Sequence, residues 1–220
     1  MRQAQLYLLK FLRMKLKFLF FSTLFLMFIY SESQAQTFKA GLILGLNASQ
    51  INGDDVGGYS NPGLRTGIRA SIMLKDRVQI DTDMLFSQRG SRPSASEFEA
   101  TNGLLNWKFG MDYIEVPVTI RFSDWYVDDY YKVYAKAGLV YGRFFRSKNS
   151  LDSPFRTLDE YIRVNDVAFT LGIGLYPRKN IQTELNFTRS LFPFYLPEVG
   201  YPWSRALVGY YFSIQIMYEI

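Results

Sequence analysis

The chain contains eight segments in which apolar and polar residues alternate one by one, and this pattern constrains the fold more than any other feature of the sequence. A period of two places alternate side chains on opposite faces of a β-strand, whereas a helix needs a period of about 3.6. The segments are Phe38–Ala48, Leu64–Leu74, Val78–Gln88, Tyr113–Phe122, Lys132–Tyr141, Asp166–Leu175, Ile181–Phe187 and Ala206–Tyr218. The sequence therefore predicts an all-β fold from residue 38 onward.

The two faces of these segments differ sharply in charge. Over all eight segments, one face has 44 positions and no charged residue, whereas the other face carries eleven charged residues. Most segments have about ten residues, the length that a tilted strand needs to cross a bilayer. Because lipid offers no partner to an unpaired sheet edge, spanning strands must close on themselves. The pattern predicts an eight-stranded antiparallel transmembrane up-and-down β-barrel with its apolar face toward lipid.

A soluble or periplasmic lipocalin-like barrel that binds a small molecule is the alternative, because its strands also alternate. Its apolar face would point inward, and the glycine-rich face would meet water. That face includes Gly41, Gly45, Gly172 and Gly174. Glycine weakens a strand and adds no packing, so soluble strands seldom contain so many. In a narrow membrane barrel the same glycines leave room for Arg, Lys and Tyr, which favours the membrane interpretation.

The connections between segments alternate in length. Short connections lie at 75–77, 123–131 and 176–180, and long connections lie at 49–63, 89–112, 142–165 and 188–205. Outer-membrane barrels combine tight periplasmic turns with longer outer loops. The pattern therefore predicts four outer loops and places both ends of the barrel domain in the periplasm.

The first 35 residues are typical of a secretory signal peptide. Lys15 and Lys17 precede an uncharged apolar run over 18–30, which is too short for a transmembrane helix, and small residues at Ser33 and Ala35 suit a signal peptidase. We expect translation to begin at Met14, with a longer basic region that includes residues 1–13 as the alternative, and cleavage to follow Ala35. The barrel domain then comprises residues 36–220.

Charge and composition narrow the range of functions. The chain has a formal net charge of +5, but residues 1–35 contain five basic residues and one acidic residue, so 20 basic and 19 acidic residues remain. A nearly neutral exported domain is not expected to bind nucleic acid. The chain contains no His and no Cys, which excludes imidazole and thiol catalysis and the zinc sites built from them. We therefore predict that the protein is not an enzyme and that it has no catalytic residues, no cofactor and no metal ion. The adjacent carboxylates Asp54 and Asp55 could contact a cation, but two carboxylates without further ligands are weak evidence for a site.

Three stretches resemble a known family. They are Phe38–Asn47 (FKAGLILGLN), Met84–Gly90 (MLFSQRG) and Tyr113–Val118 (YIEVPV), and Tyr134–Gly138 and Gly172–Gly174 fit the same pattern. With these stretches the chain resembles the PorT-like outer-membrane β-barrel family of the Bacteroidota. The resemblance implies an exported barrel of the outer membrane. One member of that family is associated with protein secretion, and this role is not carried over to the present chain.

The charged residues of the polar face are expected to meet inside the barrel. An eight-stranded interior is just wide enough for side chains to fill. Antiparallel pairing about Asp76 places Arg69 opposite Asp83, so we predict a buried ion pair within a neutral polar plug, with a narrow ion path as the weaker alternative. The predicted lumen charge network comprises Lys39, Arg65, Arg69, Asp81, Asp83, Glu115, Arg121, Lys132, Lys136, Asp166 and Glu184.

The last long connection is the best candidate for contact with a partner, because proline-stiffened aromatic residues bury area at low entropic cost. The candidate residues are Phe192, Phe194, Tyr195, Tyr201 and Trp203. The competing interpretation is that this connection folds over the barrel mouth as a lid or joins the outer aromatic girdle. Expected partners are outer-membrane lipid around the barrel and another envelope protein or an extracellular ligand at the loops; an envelope-structural role stays open beside them.

Overall fold

The computed structural model describes residues 38–150, 153, 161–197 and 203–220. Within these ranges the chain forms eight β-strands and one short helix. The strands are β1 (Phe38–Asn52), β2 (Asn61–Lys75), β3 (Val78–Ser91), β4 (Phe109–Val127), β5 (Tyr130–Asn149), β6 (Asn165–Arg178), β7 (Ile181–Ser190) and β8 (Val208–Glu219), and the helix is α1 (Ala95–Ala100). No helix in the described ranges is long and apolar enough to cross a membrane.

The strands form a closed antiparallel barrel. Each strand pairs with its neighbour in sequence, and β8 returns to pair with β1, where Leu44 lies opposite Ile216. Closure satisfies the backbone groups of every strand edge, which is the condition for crossing lipid with strands. The predicted eight-stranded up-and-down barrel is confirmed.

The exterior of the barrel is apolar and the interior is polar. Outward-facing side chains remain largely exposed, as in Leu44 (64%), Ile120 (60%) and Ile214 (62%). The charged side chains of the opposite face, such as Arg69 and Glu115, are buried. A lipocalin-like barrel needs the reverse arrangement, an apolar interior around its ligand. The lipocalin-like alternative is therefore wrong for this chain.

Short and long connections lie at opposite ends of the barrel, as predicted. Two-residue turns at 76–77, 128–129 and 179–180 mark the turn end, and the four other connections mark the loop end. Asp128 and Asp129 both have positive φ (54° and 64°), which matches the twist of a two-residue hairpin. The turn predicted over 123–131 is thus shorter than expected, because β4 and β5 continue almost to its centre.

Close contact with an aromatic side chain explains one of the interior glycines directly. Gly174 of β6 lies opposite Tyr134 of β5, and a Cβ atom at Gly174 would lie 2.0 Å from Tyr134 Cζ. The tyrosine ring covers the glycine and occupies the space that a larger residue would fill. The interior thus alternates residues without side chains and large polar side chains.

Beside a small buried apolar cluster of Ile43, Leu85 and Met217, a larger hydrophobic core lies at the loop end, which we call the cap. Its buried residues come from strand ends and from several connections, and Val56, Leu105, Phe144 and Trp203 pack against them. The core consists of Ile51, Trp107, Phe109, Met111, Tyr113, Ile162, Phe194, Tyr195 and Leu207. The barrel therefore holds a polar interior between its strands and carries an apolar core above them.

Candidate functional site

The lumen contains two groups of buried charges. The turn-end cluster lies closer to the two-residue turns, and the loop-end cluster lies below the cap. The turn-end cluster consists of Arg69, Asp81, Asp83, Arg121, Lys136 and Glu184, and the loop-end cluster consists of Arg65, Arg89, Glu115 and Asp166. Every one of these side chains is at least nine-tenths buried.

Arg69 is held on two sides in the turn-end cluster. Its Nε and Nη2 donate to Asp83 Oδ1 and Oδ2 at 2.7 and 2.9 Å. Its Nη1 also donates to Glu184 Oε1, and Nη2 donates to Glu184 Oε2 at 3.1 Å. The register that pairs Arg69 with Asp83 and the ion pair between them are confirmed. A bidentate contact of this type fixes both the position and the plane of the guanidinium group.

Glu184 is the centre of the turn-end cluster. Besides Arg69 it accepts hydrogen bonds from Tyr134 Oη at 2.7 Å, from Gln215 Nε2 at 2.6 Å and from Lys136 Nζ. Arg121 Nη2 lies 3.3 Å from Glu184 Oε1. A carboxylate shared among so many donors satisfies its lone pairs without water, which offsets the cost of burying its charge.

Arg121 connects Glu184 to the remaining carboxylate of the turn-end cluster. Its Nη2 lies 2.7 Å from Asp81 Oδ2, and its guanidinium carbon lies 4.1 Å from the centroid of the Tyr134 ring. Asp81 Oδ1 also accepts from Ser71 Oγ and Gln79 Nε2, both at 2.6 Å. Polar neighbours without charge thus complete the network that the charged residues begin.

Arg89 organises the loop-end cluster. Its Nε donates to Glu115 Oε1 and its Nη1 donates to Asp166 Oδ2, both at 2.7 Å. The guanidinium group lies between two rings, with its carbon 4.4 Å from the centroid of Tyr113 and 4.7 Å from that of Tyr211. This packing of a cation between aromatic faces closes the lumen directly below the cap.

Arg65 joins the two clusters. Its Nη1 donates to Glu115 Oε2 at 2.6 Å, and its Nε donates to Gln215 Oε1 at 3.1 Å. Because Gln215 also donates to Glu184, one amide bridges the loop-end and turn-end clusters. Three cations face three anions in the turn-end cluster, and two face two in the loop-end cluster. The lumen therefore carries no net charge at either level.

Two predicted members of the lumen network make no direct ion pair with either cluster. Lys39 pairs with Glu219 at 2.6 Å with its side chain about one-third exposed. Glu219 also accepts from Gln182 at 3.0 Å, and Gln182 accepts from Arg121 at 2.9 Å, so Lys39 borders the turn-end cluster. Lys132 pairs with the exposed Asp128 at 2.9 Å beside the turn between β4 and β5 and lies over the Tyr130 ring, away from the buried charges.

Sequence reasoning missed Arg89, which was assigned to a connection. Strand β3 in fact continues to Ser91, and the inward positions Gln79, Asp81 and Asp83 continue in steps of two to Arg89. Extending the alternation past Gln88 would have identified it. The polar partners Gln182 and Gln215 lie on the same predicted lumen face, but uncharged side chains do not stand out from the sequence as members of a charge network.

The residues of the predicted partner loop divide into buried and exposed ones. Phe194 and Tyr195 are buried in the cap, where Phe194 N donates to Leu207 O at 2.9 Å. Trp203 is half-buried, and its Nε1 donates to Gly53 O at 3.0 Å. Phe192 is 59% exposed. Tyr201 lies outside the described residues. The rings of Phe194 and Tyr195 fill the cap core, which favours the interpretation of this connection as a lid for these two residues.

The helix α1 is tied to the first connection. Ser94 and Glu97 form a capping box, and Gly57 N donates to Glu97 Oε1 at 2.8 Å. These backbone N–H groups, first that of Ser94, lower the pKa of the Glu97 carboxyl group because they stabilise its charged form. Two separate connections are therefore linked above the barrel.

A family model described as outer membrane protein beta-barrel domain matches residues 33–195. The chain belongs to this family. A search of curated proteins finds no match. Among solved structures, the barrel resembles Ail of Yersinia pestis in complex with the heparin analogue sucrose octasulfate, with 11% identity, 83% of this chain and 99% of that chain covered, and a TM-score of 0.44.

Two further outer-membrane proteins show similar values. Neisserial surface protein A matches with 8% identity over 84% of this chain and 99% of its own, with a TM-score of 0.44. OprG of Pseudomonas aeruginosa matches with 11% identity over 83% of this chain and 94% of its own, with a TM-score of 0.41.

Membership of the outer membrane protein beta-barrel domain family determines the location of the protein. Together with a closed barrel and an exposed apolar exterior, it shows that the protein is an integral protein of the outer membrane, surrounded by lipid. From the lengths of the connections we expect the turn end to face the periplasm and the loop end, with the cap, to face outward.

Proposed function

We propose that this protein is a non-enzymatic and non-conducting barrel that presents its cap to another envelope protein or to an extracellular ligand. The single observation that carries the proposal is a charge-balanced, filled lumen beneath a folded cap. A channel needs a continuous polar path, whereas each buried arginine of the two clusters is bound to carboxylates on other strands. A role confined to stabilising the envelope is the second candidate, and the same rigid lumen supports it.

The absence of catalysis is part of this proposal. The chain has no His and no Cys, and the buried carboxylates Asp81, Asp83, Glu115 and Glu184 are all bound to Arg or Lys. A general acid or base must reach a substrate proton, and these carboxylates have no free approach from solvent. Their chemistry suits structural neutralisation of charge.

The surface available to a partner consists of exposed apolar side chains at the loop end. Leu104 is 86% exposed between α1 and β4, and Phe192 is 59% exposed after β7. Leu191 and Leu196 are exposed beside Phe192. Apolar side chains that remain outside a folded core favour contact with a second molecule.

Two finer assignments accompany this proposal. The stretches Phe38–Asn47 and Tyr113–Val118 support membership of the PorT-like group of the Bacteroidota. The basic and apolar character of residues 1–35 supports a cleaved signal peptide, although these residues lie outside the described part of the structure. The intact mass of protein purified from outer membranes should correspond to a chain that begins at Gln36.

Site-specific photo-cross-linking tests the binding role. A photoreactive benzoylphenylalanine is placed at position 104 or 192, and at position 122 on the lipid-facing exterior as the matched control. We expect adducts with a protein or glycan at 104 or 192 and adducts with lipid alone at 122. Purified protein in planar bilayers should show no conductance steps. Lipid adducts alone at all three positions would overturn the binding role, and discrete conductance steps would overturn the closed lumen.

A further inference from the structure

Each strand presents a series of outward-facing side chains to the lipid, and on three consecutive strands this series leads to an arginine at the loop end. The uncharged outward side chains of β5 are followed by Arg143, and those of β7 are followed by Arg189. Arg163 lies two residues before Asn165, the first outward residue of β6. All three arginines are exposed. They mark the loop-end boundary of the apolar exterior over β5, β6 and β7.

The other strands do not share this feature. The outward series of β8, β1, β2 and β3, all within the described ranges, contain no charged residue. The outward series of β4 begins with Asp112, whose carboxylate lies 2.5 Å from Arg146 Nη2 and 3.2 Å from Lys148 Nζ. One carboxylate shared between two cations leaves no surplus of negative charge there. Positive charge at this boundary is therefore concentrated on one side of the barrel.

The three arginines are not neutralised by the protein. Among the residues that the structure describes, none of them forms an ion pair, whereas every arginine of the two lumen clusters does. The residues directly opposite them are uncharged: Asn165 faces Arg143, and Phe169 and Tyr210 flank Arg189. A guanidinium group that has no carboxylate partner can bind a phosphate group through two parallel hydrogen bonds.

An apolar groove lies on the same side of the barrel, closer to the turn end. It has a volume of about 590 Å³ and is lined by side chains of β4 to β8. Its floor includes Ala135 and Ala137, and Phe122 and Ile173 lie directly opposite Ala135 on the two neighbouring strands. A second cavity of about 550 Å³, which shares Ala135, continues it toward the turn end. A row of small residues between larger ones, extended along the strands, has the shape that an acyl chain requires.

Aromatic side chains lie between the groove and the arginines. The ring centroid of Phe187 lies 6.1 Å from that of Phe169 and 5.1 Å from that of Phe212. Phe187 lines the groove, and Arg189 is the next outward residue of the same strand. Aromatic girdles of membrane barrels lie at the headgroup level. The arginines beyond this girdle are therefore at the level of lipid phosphates.

We propose that this groove and the three arginines bind one phosphorylated lipid. An acyl chain lies along Ala135 and Ala137, and a headgroup phosphate contacts Arg143, Arg163 and Arg189. Because we expect the loop end to face outward, the lipid belongs to the outer leaflet. The site lies on the side of the barrel and is separate from the partner surface proposed for the cap.

The distribution of charge favours a lipid over a second copy of the chain. Two copies related by a twofold axis along the membrane normal would bring the same side of each barrel together. Arg143, Arg163 and Arg189 of one copy would then meet the same arginines of the other, and like charges repel. An anionic headgroup instead supplies the negative charge that this side of the barrel lacks.

Native mass spectrometry of the refolded full-length mature protein in detergent tests the headgroup contact. Diphosphoryl lipid A, which carries phosphates and acyl chains, should remain bound at one molecule per barrel, and zwitterionic phosphatidylcholine should bind at least about tenfold more weakly. Arg143→Gln/Arg189→Gln should weaken the binding of lipid A at least about tenfold. The matched variant Arg178→Gln/Lys179→Gln, which removes the same charge at the turn between β6 and β7, should bind lipid A as the wild type does.

Filling the groove tests the acyl-chain contact without a change of charge. Ala137→Leu should weaken the binding of lipid A about fivefold, because the larger side chain occupies the groove. The control Ala40→Leu changes an exposed alanine of β1 outside the groove and should have no effect. Heat-modifiable migration on gels establishes that each variant has folded.

Three outcomes would overturn the proposal. Equal binding of lipid A by the wild type and by Arg143→Gln/Arg189→Gln would exclude the headgroup contact. Unchanged binding by Ala137→Leu would exclude the acyl-chain contact. Protein dimers that Ala137→Leu abolishes would show that a second copy, and not a lipid, occupies the groove.

Discussion

At the scale of single residues, the lumen shows how an eight-stranded barrel tolerates buried charge. Arg69 lies within 3 Å of Asp83 and also donates to Glu184, so it has partners from two other strands, β3 and β7. Burial removes water from both signs of charge, and only mutual contact compensates for that loss. The Arg69–Asp83 pair thereby reinforces the register of the neighbouring strands β2 and β3, and the Arg69–Glu184 pair joins β2 to the non-neighbouring strand β7 across the lumen.

Removal of one member of the Arg69–Asp83 pair should destabilise the barrel strongly. Arg69→Ala leaves Asp83 and Glu184 short of a cation, and Asp83→Ala leaves Arg69 with an excess of positive charge in a dry site. We expect each variant to lower the free energy of unfolding by about 3–5 kcal/mol. Urea titration in lipid vesicles, followed by tryptophan fluorescence and by heat-modifiable migration on gels, measures this change.

The control for this experiment is Lys132→Ala, which removes a charge that the structure places beside Asp128 outside the clusters. It should unfold at the wild-type urea concentration. The double variant Arg69→Leu/Asp83→Leu should lose less than the sum of the two alanine variants, because no charge of that pair is left buried alone. Wild-type stability of both Arg69→Ala and Asp83→Ala would contradict a structural plug.

At the scale of elements, the period of two identified every strand but not the full length of each. Alternation is visible where one face meets lipid and the other meets the lumen. It disappears at the start of β4, where the cap covers the strand and all residues from Phe109 to Tyr113 are buried. The end of β3 from Arg89 to Ser91 is buried for the same reason. The sequence could thus predict the membrane-embedded part of each strand, whereas the outer extensions depend on contacts made by distant connections.

The candidate site was predictable to a similar degree. The inward direction of side chains such as Arg69, Arg121 and Glu184 could be predicted from their place on a strand, because alternate residues of a strand point to opposite faces. Phe192 and Phe194 are the same residue type and lie two positions apart, so alternation would place them on one face, yet the first is exposed and the second is buried. Only the tertiary fold of the cap distinguishes them, through the bridge between Tyr195 and Leu207.

The pairing of Gly174 with Tyr134 gives a test at this scale. Alanine at 174 would collide with the Tyr134 ring, whose hydroxyl donates to Glu184 and whose face lies against the Arg121 guanidinium group. We expect Gly174→Ala to cost about 1–3 kcal/mol of unfolding free energy, as for other overpacked sites. The same substitution in a Tyr134→Ala background should cost little, since the obstructing ring is gone.

A glycine with free space provides the control for Gly174→Ala. Gly209 of β8 has its nearest side-chain atom 3.7 Å from the position of an added Cβ atom, so Gly209→Ala should be tolerated. Urea titration of the four variants in vesicles gives the comparison. An equal cost of Gly174→Ala with and without the Tyr134 ring would show that the glycine is required for a reason other than this contact.

At the scale of the whole molecule, the protein has two cores of opposite character stacked along the barrel. The lumen is charged and sealed by ion pairs, and the cap above it is apolar and held by residues such as Phe109, Phe194 and Leu207. The loop-end cluster, with Arg89 between Tyr113 and Tyr211, separates the two. The ion pairs of the lumen involve no residue of the cap, and Tyr113 is the cap residue that contacts them, through Arg89. We therefore expect the barrel and the cap to unfold independently.

Phe194→Ala tests this independence. Phe194 stacks on Phe109 with ring centroids 6.5 Å apart, and removing a buried phenylalanine ring typically costs about 3–5 kcal/mol, here within the cap. We expect protease to cleave the connections over 92–108 and 191–207 while heat-modifiable migration of the barrel persists. The matched control Phe192→Ala, which changes an exposed neighbour, should leave the connections resistant to protease.

The same Phe194→Ala variant also tests what closes the barrel. It should still show no conductance in planar bilayers, because the loop-end cluster seals the lumen below the cap. Conductance in this variant would mean that the cap, and not the ion pairs, closes the barrel.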